Sequence, residues 1–182
     1  MSTAPTLLAL LESRDSELTA EMMRAHCSGA SIANVAKAVK AAALNRNDAP
    51  RVDLMKAALE GSGMSAHEVF GYDDGAKGTS AMHQACLAGA GTTKPLEALI
   101  QQGGVVLASM ISHALYGVEH QPAVAVAVVK LLLEHTTSSE LPQEALDVLE
   151  DAREDFDSEE QKAALDKIGQ LMDEARSASR IV

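Results

Sequence analysis

Apolar residues return every three or four positions along nearly the whole chain, and glycine, proline or capping residues break the pattern before any stretch grows long. SIANVAKAVKAAAL is representative: Ile32, Val35, Val39 and Ala42 or Ala43 fall on one side, Lys37 and Lys40 on the other. A period of 3.6 fits an amphipathic helix and is incompatible with the two-residue alternation of a half-buried strand. The apolar residues behind the pattern are Ala, Leu, Val and Met. Hydrophobic residues make up 47% of the chain but aromatics only 2%. Small and unbranched side chains favour helix and let helices approach closely, whereas a sheet needs the β-branched and aromatic residues scarce here. The expectation is an all-α fold of stacked antiparallel helix pairs.

Local signals divide the pattern. Residues 5–12 read as a short apolar helix with Pro5 in its first turn. Asp15 or Ser16 caps a second helix running to about His26, with Leu18, Met22 and Met23 on one face and Gly29 ending it. Ser31 starts a third, NRNDAP is a loop, and Pro50 opens a fourth, RVDLMKAALEG, closed by Gly61 and Gly63. Residues 61–79 are the most loop-like, with the turn GYDDGAKG and one short helix, SAHEVF. Helices then resume as SAMHQACLAG, KPLEALIQQGG, VLASMISHALYG and PAVAVAVVKLLLEH. Pro142 begins another, and Ser158 caps the last, with Gln161 placed to complete a capping box.

At 182 residues the chain has room for one continuous core, and residues 1–182 are read as a single helical-repeat domain. A formal charge of −11 argues against non-specific binding to nucleic acid or anionic membrane, since such partners require basic patches. It leaves room for a basic protein partner, and it also serves solubility. Cys27 and Cys86 stand far apart in apolar helical contexts and read as buried free thiols of a reducing compartment. The N-terminal stretch lacks a positive n-region, and Pro122–Leu133 is too short to span a bilayer, so an intracellular location is the default reading.

Equivalent points of successive helix pairs lie roughly 30–40 residues apart, a period that directs attention to repeat architectures. The stretch Gly78 to Gly104, GTSAMHQACLAGAGTTKPLEALIQQGG, resembles an ankyrin repeat. Gly78, Ser80, Met82, His83, Ala85, Cys86 and Gly89 occupy positions of that family's first-helix pattern, with Ala81 where proline is usual. Leu99 to Gly104 matches the end of its second helix. A weaker match follows at Ser112 to Gly117, with Val128 to His135 as second helix, and Val52 to Gly61 pairs with Ala36 to Leu44 upstream. The resemblance implies a solenoid with degenerate N-terminal helix pairs over 1–62, ankyrin-like repeats over 63–136 and acidic capping helices over 137–182.

The residues that could carry chemistry have plainer structural readings. His83 and Cys86, at i and i+3, could pair as base and nucleophile, yet both fall on repeat positions that support packing. His113, Glu119 and His120 offer metal ligands, but their spacing crosses a helix end at Gly117 and lacks a known ligand pattern. Glu150, Asp151, Glu154, Asp155, Asp157, Glu159 and Glu160 lack the glycine and spaced ligands of a calcium loop and suit a helix junction and N-terminus. GYDDGAKG fits no phosphate-binding fingerprint. The methionines at 22, 23, 55, 82, 110 and 172 sit on apolar helix faces, and most of them read as core. No cofactor or metal site is expected.

The ankyrin resemblance implies recognition of a protein partner on a concave surface of turns and first helices. Carried over by position, the contact residues are Lys77, Thr79, Gln84, Leu87 and Ala88 in the clear repeat and His113, Tyr116 and Glu119 in the weaker one. Tyr116 is the natural anchor, since aromatics dominate interface energetics. Two rival readings stand beside this one. A small helical enzyme or small-molecule binder would use an apolar pocket near His83, His113 and Tyr116. A scaffold would self-associate through an end repeat.

Overall fold

The computed structural model describes residues 18–44, 49–73, 80–87, 91–136 and 143–179, and every regular element among them is helical. The described residues form ten α-helices: α1 Ala20–Cys27, α2 Ile32–Ala43, α3 Val52–Ser62, α4 Ala66–Gly71, α5 Ala81–Cys86, α6 Lys94–Gln101, α7 Met110–Tyr116, α8 Pro122–His135, α9 Gln143–Asp155 and α10 Glu159–Ser179. A 3-10 turn, Gly117–Glu119, joins α7 to α8. The all-α expectation therefore holds. The described residues gather into two compact units, one reaching to Met82 and including Ala98–Val105, the other made of His83–Glu97 and the residues from Val106 onward.

In the first unit, α3 packs against both α1 and α2, and α4 packs against α2. Met23 and Cys27 on α1, Val35 and Val39 on α2, and Leu54 and Met55 on α3 are fully buried. Each large side chain so buried contributes about 1.5–3 kcal/mol. Gly61 sets how closely α1 and α3 approach: a Cβ there would lie 2.2 Å from the carbonyl oxygen of Arg24. Beside that crossing the Arg24 guanidinium pairs with Glu60 on the solvent side. Gly63 closes α3 in the left-handed conformation, φ 68°, where glycine carries no Cβ penalty. Ser65 and Glu68 form a reciprocal capping box on α4.

In the second unit, α8 is flanked by α7 and α10, and α9 packs against α7 and α10. α8 buries Ala125, Val128, Val129 and Leu132. α10 buries Leu165, Ile168 and Met172 on one stripe. Its start is fixed as its sequence predicts: the Gln161 N–H donates to Ser158 Oγ at 3.2 Å, and Gln161 Oε1 accepts from the Ser158 N–H at 3.3 Å. Gln161 Nε2 also donates to the Glu119 carbonyl, which ties α10 to the 3-10 turn.

Three local expectations change. Thr19, rather than Asp15 or Ser16, caps α1, its hydroxyl accepting from the Met22 N–H at 3.2 Å. Asp15 and Ser16, like the helix expected over 5–12, lie outside the described residues. Met22 faces solvent at 43% exposure, because starting the helix at Ala20 turns Met23 and Cys27, four apart, onto the buried face. Of the six methionines placed on apolar helix faces, the other five are buried, as expected for most of them. Finally, VLASMISHALYG is helical only from Met110. Val105 and Leu107 are exposed around a buried Val106, an alternation of period two that continues no helical face.

Candidate functional site

In the second unit the chemically capable side chains gather on the His83–Cys86 part of α5 and on α7. α7 buries Met110, Ile111, Ala114 and Leu115, positions that share one helical face. His113 is left half-buried at the margin of that face, and Tyr116, one turn further along, is 60% exposed. On α5, Ala85 and Cys86 are buried while His83 and Gln84 are half-buried.

The rings of His83 and His113 meet, with centroids 4.5 Å apart and planes inclined at 55°. The His113 Nδ1 lies 3.4 Å from the carbonyl oxygen of Ser109 on its own helix. A carbonyl oxygen can only accept, so in that contact Nδ1 is the donor.

Two neighbouring polar groups behave differently. Burial pushes the Cys86 thiol up to about 12, so near neutral pH it stays protonated and supplies no thiolate to the imidazole three residues before it. The Ser112 hydroxyl is buried and has no hydrogen-bond partner among the described residues. Burial also raises the thiol of Cys27, whose Sγ–H is directed at Met23 Sδ, 3.9 Å away. Both cysteines are free and buried.

The residues proposed from sequence are distributed as follows. Gln84 and Leu87 are half-buried at α5 and the turn after it, His113 is half-buried against His83, and Tyr116 and Glu119 are exposed. Lys77, Thr79 and Ala88 lie outside the described residues. His120 Nε2 stands 3.9 Å from Glu119 Oε2 on the exposed surface, while the ring of His113 is engaged with His83. The seven acidic residues from Glu150 to Glu160 are all exposed. Twelve acidic and four basic residues lie between 143 and 179, so eight of the eleven net negative charges sit on α9, α10 and the turn joining them.

Sequence reading named both His83 and His113 but did not foresee that they touch. It also missed the exposure of Val105 and Leu107, for which the signal was present: two glycines, Gly103 and Gly104, precede them and end α6 with a φ of 95° at Gly103. No helix among the described residues is long and apolar enough to cross a membrane. Comparison with protein-family models, with curated proteins and with solved structures finds no match to this chain.

Proposed function

We propose that this chain is a protein-interaction module that recognises a partner through the surface shared by α5, α7 and the 3-10 turn, with Tyr116 as anchor. One observation carries the reading: Tyr116 is 60% exposed, more than any other large apolar side chain among the described residues, in a chain with only four aromatics. A ring left that far in water, beside half-buried polar groups, is the composition of an interface hot spot before its partner arrives. Gln84, Leu87, His113 and Glu119 supply the surrounding contacts; Lys77, Thr79 and Ala88, carried over from the repeat pattern, lie outside the described residues.

The finer architecture belongs to the same proposal. We read α5 and α6 as the two helices of an ankyrin-type repeat and α7 with α8 as a second, degenerate one. The small or apolar residues Ala81, Met82, Ala85 and Cys86 of α5 are buried, as are Leu96 and Leu99 of α6. A Cβ on Gly104 would stand 2.8 Å from Met82 Sδ, so the glycine that ends the repeat leaves room for a side chain of its first helix. Such repeats present their turns and first helices to partners, which is why Gln84 and Tyr116 fall on one functional surface in this reading. The chain's charge favours a basic partner.

Tyr116→Ala and Gln84→Arg test the assignment. Each is expected to weaken a purified partner by tenfold or more while leaving far-UV circular dichroism unchanged. Affinity unchanged in both variants would remove α5 and α7 from the interface.

A second reading rests on the imidazole contact. His83 and His113 converge from separate helices, as a small-molecule site near those residues requires. Thermal-shift screening against small polar ligands tests it, and stabilisation lost in His83→Gln supports it.

A further inference from the structure

Tyr116 and Glu119 stand at the two ends of one 3-10 turn: Tyr116 is the cap that opens it and Glu119 its last residue. A 3-10 helix makes about three residues per turn, so side chains at i and i+3 leave it one above the other. The phenol ring and the carboxylate therefore share one side of the turn, while Gly117 and Val118 between them are buried. Both are open to water, Tyr116 at 60% exposure and the Glu119 side chain at 61%. The Glu119 carboxylate is also uncommitted. Among the described residues His120 Nε2 comes to 3.9 Å from it, beyond hydrogen-bond reach.

The charge around this pair is one-sided. Gln161 Nε2 donates to the Glu119 carbonyl at 3.2 Å, and α10 packs against the turn, so the start of α10 lies alongside. Five carboxylates fall between residues 154 and 162, against the single cation Lys162. An open aromatic face beside a free carboxylate suits a guanidinium above other groups. Its plane lies on the ring, and its fork of N–H donors meets the carboxylate, where an ammonium offers only a point charge.

We infer that Tyr116 and Glu119 hold an arginine side chain of the partner, carried on a basic segment that the carboxylates of α10 attract. The inference rests on the interaction reading above and names the chemistry of its partner. A second copy of this chain does not suit the place, since at a net charge of −11 it would bring more carboxylates to a surface already rich in them.

The test uses the full chain and two synthetic peptides, Ala-Arg-Ala and Ala-Lys-Ala each repeated four times, at about 0.15 M salt. Tyr72 and Tyr116 are the two tyrosines, so their ring resonances separate this site from elsewhere. The arginine peptide should shift the Tyr116 ring and leave Tyr72 in place. Glu119→Gln should weaken it at least fivefold. Glu134→Gln, the same loss of charge near the far end of α8, should leave it within twofold. The lysine peptide should bind at least threefold more weakly. Circular dichroism establishes that both variants fold. No shift at Tyr116, equal weakening by the two variants, or equal binding of the two peptides would each overturn the arginine site. The interaction reading fails separately: a purified partner that needs Tyr116 but not Glu119 overturns only the arginine, whereas a partner that needs neither removes both.

Discussion

Replacing Gly61 with alanine sets two energies against each other, and the structure decides between them. Gly61 lies near the end of α3, where alanine's helix propensity would stabilise by up to about 1 kcal/mol. The added Cβ, however, would stand 2.2 Å from the Arg24 carbonyl oxygen and 2.9 Å from its Cα, where ordinary contact begins at 3.4 Å. Both partners are helix backbone, so no side chain can swing away, and α1 must retreat from α3 by about an ångström. Dispersion attraction across that interface falls steeply with such a gap, and overpacking of this kind typically costs about 1–3 kcal/mol. The Arg24–Glu60 pair is exposed and contributes little to the sum. The net expectation is a loss of about 1–2 kcal/mol. In urea, with a slope of about 1–3 kcal/mol per molar, the midpoint of the 222 nm transition should fall by roughly 1 M. Gly71→Ala is the matched control, since its Cβ meets nothing within 4 Å and its φ is not positive. That variant should be neutral or slightly more stable. If Gly61→Ala is as stable as the parent, α1 and α3 do not cross at this residue and the packing described for the first unit is wrong.

Two further substitutions probe the second unit. Ser112→Ala should stabilise the protein, by about 1 kcal/mol or more, because it removes a buried hydroxyl that has no partner among the described residues and gains helix propensity; a thermal melt that drops would show that the hydroxyl is bonded. Cys86 should govern part of the alkaline limb of stability. Its folded pKa of about 12 exceeds the ordinary 9.0, so the folded state holds a proton that the unfolded state releases. The contribution is intact below pH 9 and falls by about 1.4 kcal/mol per pH unit as pH rises toward 12. Denaturant titrations from pH 8 to 10.5 should show a shallower decline in Cys86→Ala than in the parent, and identical slopes would contradict the burial of that thiol.

Much of the helical order is legible in the sequence because it follows from local rules. Ser158 and Gln161 write the start of α10, Ser65 and Glu68 that of α4, and Gly63 the end of α3. Where several local signals compete, the sequence underdetermines the answer. Asp15, Ser16 and Thr19 are all competent caps, and the one that acts is the one that turns Met23 and Cys27 together into the core. The stretch VVLAS carries apolar residues that fit either a helical or an alternating pattern, and Val106 is buried between two exposed neighbours in the second. The His83–His113 contact is invisible for a different reason. The residues are thirty apart, and helical periodicity fixes which way a side chain leaves its own helix without saying which helix it will meet. The same holds for Tyr116, whose exposure depends on neighbours that its own helix does not name.

We propose that this chain holds a protein partner at the α5–α7 surface. The most direct test immobilises the intact chain and its Tyr116→Ala variant, exposes both to lysate of the cells that make it, and compares capture at about 0.15 M and 0.5 M salt, where ionic attraction is largely screened. The expected result is a stoichiometric protein retained by the parent, diminished at high salt and absent from Tyr116→Ala. Capture of nothing at either salt, or equal capture by both chains, would contradict it.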